Sequence, residues 1–197
     1  MPTLKELQAY YEELIEALSS DMPSYHFNSD RTHNAIVMRF MLDTSSNVNM
    51  YCGEMSVFRK NFYKHIAEKN DNNQDYAKSI KSLLIESFHN FMQKEDVSMN
   101  IIFESFEDDY LKDLIFLDDF LIGVSEKKIH LYKLGDDFAY KNDLYHFAYT
   151  DKRIVRFEQD KLQHSAICTI NEPAYFESIS RNFDLLKKIA IPLTVNA

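Results

Sequence analysis

Leu4, Leu7, Tyr11, Leu14, Ile15 and Leu18 fall at three- and four-residue steps with charged residues between them, the stripe of an amphipathic helix over 4–18. The polar stretch 20–32 contains Pro23 and reads as a loop, after which helical spacing resumes over 33–42. Asn47–Cys52 alternates as a short strand that stops at Gly53. From 56 to 94 the pattern is helical in two pieces. Val57, Phe58, Phe62 and Ile66 mark the first, Tyr76, Ile80, Leu83, Leu84 and Phe88 the second, and the Asn-rich 70–73 divides them. Ser98–Phe103 is an apolar run of strand length. An acidic helix over 108–120 follows, with Leu111, Leu114, Ile115 and Leu117 as its apolar positions, and then a strand over 128–134.

The final third changes period. Three closely spaced β-like segments, 145–149, 153–158 and Ser165–Ile170, are separated by turn residues, and Pro173 stands at the start of a helix over 174–189. Helices alternating with buried strands predict an α/β fold, a mixed sheet covered by helices on both faces. We read 1–197 as a single domain, an N-terminal amphipathic helix over 1–20 followed by an α/β core over 33–190, with no internal repeat and no low-complexity linker.

Composition narrows the chemistry. With 197 residues and 45% hydrophobic content the chain can build a core without disulfide or metal support. Its two cysteines, Cys52 and Cys168, lack the spacings of a zinc site and read as reduced, small apolar residues. No run approaches the ~18 apolar residues of a membrane span, and the opening segment is charged rather than signal-like, so the expected location is the cytoplasm. A net charge of −9 argues against generic nucleic-acid binding while leaving room for a local basic pocket. Three glycines and four prolines are too few for Gly-rich phosphate loops, so no nucleotide cofactor is expected.

Candidate chemistry concentrates in Tyr145, His146 and Asp151, continuing through Arg153, Arg156 and Glu158 to Asn171. His146 is placed to act as nucleophile or general base, with an arginine holding an anion. The same residues also read as a buried histidine with one hydrogen-bond partner beside an Arg156–Glu158 charge pair.

This histidine on a strand, aspartate at a turn, further strand, asparagine and closing helix with Phe183 resembles the end of a phospholipase D-like half. That family carries H-x-K, then an aspartate, then G-S-x-x-N. His146 takes the histidine's place, Ala148 stands where the lysine belongs, Asp151 arrives two residues early, and Ile167-Cys168 replaces Gly-Ser ahead of Asn171. The likeness extends loosely over 33–190. It implies a histidine nucleophile attacking phosphorus, a lysine on the phosphate, and two halves meeting in one site. A chain of one half's length then works as a homodimer. Loss of the lysine implies a degenerate, non-hydrolytic binding or regulatory module, acting through self-association, a protein partner or a phosphate-containing ligand. The competing reading is a homodimeric phosphodiesterase or nuclease using His146, with Arg153 or Arg156 in the lysine's role.

A second candidate place joins Asp30, His33, Cys52, Glu54, Ser56 and Arg59 around Gly53, at the carboxyl end of a predicted strand where open α/β sheets bind ligands. Against it, Ser56 also reads as a helix cap, Gly53 as a turn and His33 as a first-turn residue. The seven carboxylates of 104–119 lack the order of a calcium loop and read as a solvated helix face, so no metal is expected.

Overall fold

The computed structural model describes residues 1–195 except 29, 108, 137, 139–143 and 161–164. Helix α1, Leu4–Ser19, starts at a capping box in which Thr3 and Glu6 satisfy each other's backbone N–H groups. Strand β1 is Ser24–Asn28 and helix α2 Arg31–Thr44, with Asp30 as its N-cap. Strand β2, Asn47–Cys52, leads through a 3-10 turn at Ser56–Phe58 into α3, Lys60–Lys69, and α4, Gln74–Gln93. Then come β3, Ser98–Phe103; α5, Asp109–Lys112; α6, Leu117–Ser125; and β4, Ile129–Lys133. The last third holds β5, Phe147–Thr150; β6, Ile154–Asp160; β7, Ser165–Ile170; α7, Pro173–Ile189; and the two-residue β8, Ile191–Pro192.

The strands form one eight-stranded mixed sheet in the order β1-β7-β6-β5-β2-β3-β4-β8. β2, β3 and β4 run parallel to one another and every other pairing is antiparallel. Because side chains alternate across a strand, β2 sends Val48 and Met50 to one face and Tyr51 to the other, while β3 sends Met99, Ile101 and Phe103 one way and Ile102 the other. The first face packs against α2, α3 and α4; the second is covered by Ile179, Phe183 and Leu186 of α7. The expected sheet with helices on both faces is therefore what forms. Among the described residues no helix is long and apolar enough to cross a membrane.

Two expectations need correction. The stretch 20–32 is not a loop: β1 pairs along its whole length with β7, and α2 begins at Arg31. Its pattern is inverted, with Tyr25 and Phe27 exposed and His26 and Asn28 buried. α1 holds the buried polar pair, through Tyr10 Oη donating to Asn28 Oδ1 at 2.5 Å and Glu13 lying 3.3 Å from His26 Nδ1. The helix expected over 108–120 is broken between α5 and α6. There Lys60 N–H donates to Asp113 O and Ile115 N–H to Phe58 O, both at 2.9 Å, so the backbone pairs across to residues 58–60 instead of closing helical turns.

α2 ends without a basic residue in its last turn, and Lys94 from beyond α4 supplies one. Its Nζ donates to the carbonyls of Leu42, Asp43 and Ser45 at 2.9, 3.1 and 2.9 Å, the carbonyls that a helix end leaves without partners. Lys94→Met is expected to lower stability by about 1–3 kcal/mol in urea unfolding. A loss under ~0.5 kcal/mol would show that water replaces the ammonium at no penalty.

Candidate functional site

Strand direction brings the candidate residues together. The parallel β2 and β3 end side by side, with Glu104 N–H donating to Cys52 O at 2.8 Å. β5 runs antiparallel to β2 and begins at that same end, and β6 runs antiparallel to β5 and finishes there. Glu158 N–H donates to His146 O at 2.9 Å, which fixes the two residues as neighbours. Cys52, Glu104, His146 and Glu158 thus meet at one edge of the sheet, around a cavity of about 460 Å³.

His146 is held from three sides. Its Nε2 is 2.8 Å from Glu104 Oε2 in a hydrogen bond. Its Nδ1 is 2.8 Å from Glu158 Oε2, at ion-pair distance but off the line of a good hydrogen bond. The ring stands edge-on to Tyr51, centroids 5.8 Å apart. Gly53 lies against it so closely that an added Cβ would come within 3.2 Å of Cε1 and 3.4 Å of Nε2. Here glycine serves close approach to a ring as well as a turn. A phosphorus atom reaching either ring nitrogen must displace a carboxylate, and Glu158 is only 6% exposed.

The apolar wall comes from Met38, Met50, Met55 and Phe58. Met55 sits there in the left-handed region at φ 50°, a conformation that costs a non-glycine residue about 1–2 kcal/mol. Arg156 is directly opposite Ala148 in register, and its Nε donates to Asn34 Oδ1 of α2 at 3.2 Å. Burial lowers the guanidinium from its ordinary range and the nearby Glu158 carboxylate opposes that shift. The Cys52 thiol is pushed up to about 12 by burial, and Cys168 likewise, so both stay protonated and poor nucleophiles at neutral pH. Glu54 stands at the rim and ion-pairs with Arg59. The Arg59 Nε also lies 3.3 Å from Asp113, and its guanidinium covers the Tyr110 ring at 5.4 Å.

The cavity therefore gathers His146, Arg156, Glu158, Glu54, Cys52 and Ser56 from both candidate places, with Arg59 at its rim. It does not gather the others. Asp151 accepts from the N–H groups of Ser46 and Asn47 at the amino end of β2. Arg153 and Asn171 take the left-handed region, φ 55° and 56°, in turns at that same far end, joined by Asn171 N–H to Arg153 O. Tyr145 is exposed and packs on Phe157. His33 pairs with Asp30 at 3.0 Å and packs on Tyr10 instead of lining the cavity; the neighbouring Asn34 is the α2 residue that contacts Arg156. Glu104 escaped the sequence reading because it opens an acidic run in which Glu107, Asp109 and Asp118 are exposed. The signal was its position directly after a buried strand. Among the described residues no group of three His, Cys, Asp or Glu side chains is arranged to hold a metal ion.

No family model matches this sequence, and no curated protein does. Solved structures do. Nuc from Salmonella typhimurium, a phospholipase D family member, is 11% identical with a TM-score of 0.54, covering 88% of this chain and 100% of that one. TrmBL2, an archaeal chromatin protein with a novel mode of DNA binding, is 12% identical with a TM-score of 0.53, covering 96% of this chain and 64% of its own. NucT from Helicobacter pylori is 12% identical with a TM-score of 0.41, covering 87% of this chain and 99% of that one. Identities this low speak to architecture alone: the structural match to Nuc over the whole of that chain gives this mixed sheet with its helical layers a phospholipase D-like fold.

Proposed function

We propose that this chain is a catalytically degenerate phospholipase D-like module that binds at the His146 cavity and hydrolyses nothing there. One observation carries this reading: each ring nitrogen of His146 faces a glutamate oxygen at 2.8 Å, so a phosphorus atom has no open approach to either nitrogen. The charge count supports it. Three carboxylates, Glu54, Glu104 and Glu158, line the cavity against the single guanidinium of Arg156, and Ala148 stands where the resemblance calls for lysine. An anionic phosphodiester meets a surface of its own sign. Self-association into a homodimer belongs to the same proposal, since one chain supplies one half of the paired architecture.

One observation favours the nuclease reading. Arg156, and not Arg153, is the cross-strand neighbour of Ala148, so its guanidinium starts within side-chain reach of the missing lysine's place. A phosphate entering there has one cation to meet.

Turnover of bis(p-nitrophenyl) phosphate and of a short oligonucleotide by the wild type and by His146→Ala separates the two readings, with light scattering on the same samples giving the mass. We expect a dimer with no turnover above buffer in either form. Turnover by the wild type that disappears in a folded His146→Ala protein would establish the phosphodiesterase and end the binding-module proposal. A monomer would remove the paired-half component.

A further inference from the structure

Lys60 and Lys64 of α3 and Lys78 and Lys81 of α4 line one groove of about 310 Å³ together with Tyr63 and Ala77. The two helices are joined by 70–73 and each contributes a pair of lysines one turn apart to the groove, with Cβ atoms of a pair about 5–6 Å apart. Asp75 is the one carboxylate among the lining residues. The lysines are hardly neutralised. Lys60 Nζ has the Lys112 carbonyl at 3.4 Å, and Lys64 Nζ reaches Glu68 only at 4.0 Å with its side chain 70% exposed. Among the described residues Lys78 and Lys81 have no hydrogen-bond acceptor or carboxylate partner. Four ammonium groups brought together by two helices repel one another, and a multivalent anion is what relieves that repulsion.

We propose that this groove is a binding site for a compact, multiply phosphorylated small molecule, the polyphosphate chain of a nucleotide or of a free polyphosphate. Charge distribution selects the compact ligand over an extended one. The whole chain carries −9, so outside this positive groove its surface is more negative still, and Asp113, whose carbonyl accepts from Lys60 N–H, marks how soon the acidic surface begins. A nucleic-acid strand tracking beyond the groove runs onto like charge, whereas a polyphosphate ends inside it. The groove shares no lining residue with the His146 cavity, so it stands or falls independently of the reading above.

Calorimetric titration of the full chain with sodium tripolyphosphate at low salt is expected to give one site per chain, weakening as sodium chloride is raised. Lys78→Gln/Lys81→Gln and, separately, Lys60→Gln/Lys64→Gln should each weaken it by about tenfold or more, with unfolding midpoints unchanged. The use of one pair from each helix guards against a local folding defect. Absence of heat at millimolar ligand, equal affinity for orthophosphate, or insensitivity to both double variants would overturn the site. Tighter binding of a 20-nucleotide single strand at matched salt, or binding only to phosphoinositide vesicles, would overturn the assignment to a soluble compact ligand.

Discussion

Phe88→Ala is expected to lower stability by about 3–5 kcal/mol, with the urea midpoint falling and the slope unchanged. Phe88 is fully buried on α4 and stacks on Phe116, centroids 3.7 Å apart and planes at 4°. Phe58 meets it at 6.4 Å and Phe120 at 6.3 Å. The cavity left by the ring cannot collapse easily, because each wall is anchored elsewhere. Phe58 N–H and C=O are both engaged, by Met55 and Ile115, and Phe120 N–H is bonded to Phe116 O. Phe58 also forms part of the wall of the His146 cavity, so the loss couples to the candidate site. A cost below ~1.5 kcal/mol would mean that Phe116 and Phe120 close the void, and that the aromatic stack is less rigid than its packing implies.

The sequence-based reading succeeded where burial is symmetric. β3 and β7 have side chains buried on both faces of the sheet and so appear as largely apolar runs of strand length, while β2 is legible from its alternation. β1 fails that test because it is an edge strand whose inward positions, His26 and Asn28, are polar and are matched by residues of α1 that lie about fifteen positions earlier. A period-two reading assigns its outward Tyr25 and Phe27 to a core that is not there. The break at 113–115 was illegible for a related reason: its apolar spacing is helical, but its backbone partners are the residues 58–60, and long-range pairing leaves no local trace.

The candidate site follows the same logic. His146 and Glu158 were legible together because a hairpin pairs them in register, and Arg156 followed from alternation with Glu158. Asp151, Arg153 and Asn171 were grouped with them by proximity in sequence, yet a strand of β5–β6 length, at about 3.3 Å per residue, carries the next turn to the far end of the sheet. Glu104 required knowing that β3 lies parallel to β2, which is a statement about the order of strands and not about any local pattern.

Arg156→Met is expected to cost about 3–5 kcal/mol by taking away the guanidinium whose charge favours the buried Glu158 carboxylate, while Arg156→Met/Glu158→Gln recovers most of that loss. Glu158 is 6% exposed and is the leading favourable charge on Arg156, whose Nε is already committed to Asn34. Removing one member of such a pair exposes the other's desolvation; removing both charges does not. Urea unfolding of the wild type, the two single variants and the double variant gives the coupling directly, and we expect ~2 kcal/mol or more of non-additivity. The outcome bears on function as much as on stability. Strong coupling means that the cation opposite Ala148 is engaged internally and is not available to a substrate phosphate, as the binding-module proposal requires. Additive losses would mean that Arg156 does not depend on Glu158, leaving its charge to face whatever enters the cavity, and the nuclease reading would then gain the phosphate contact it otherwise lacks.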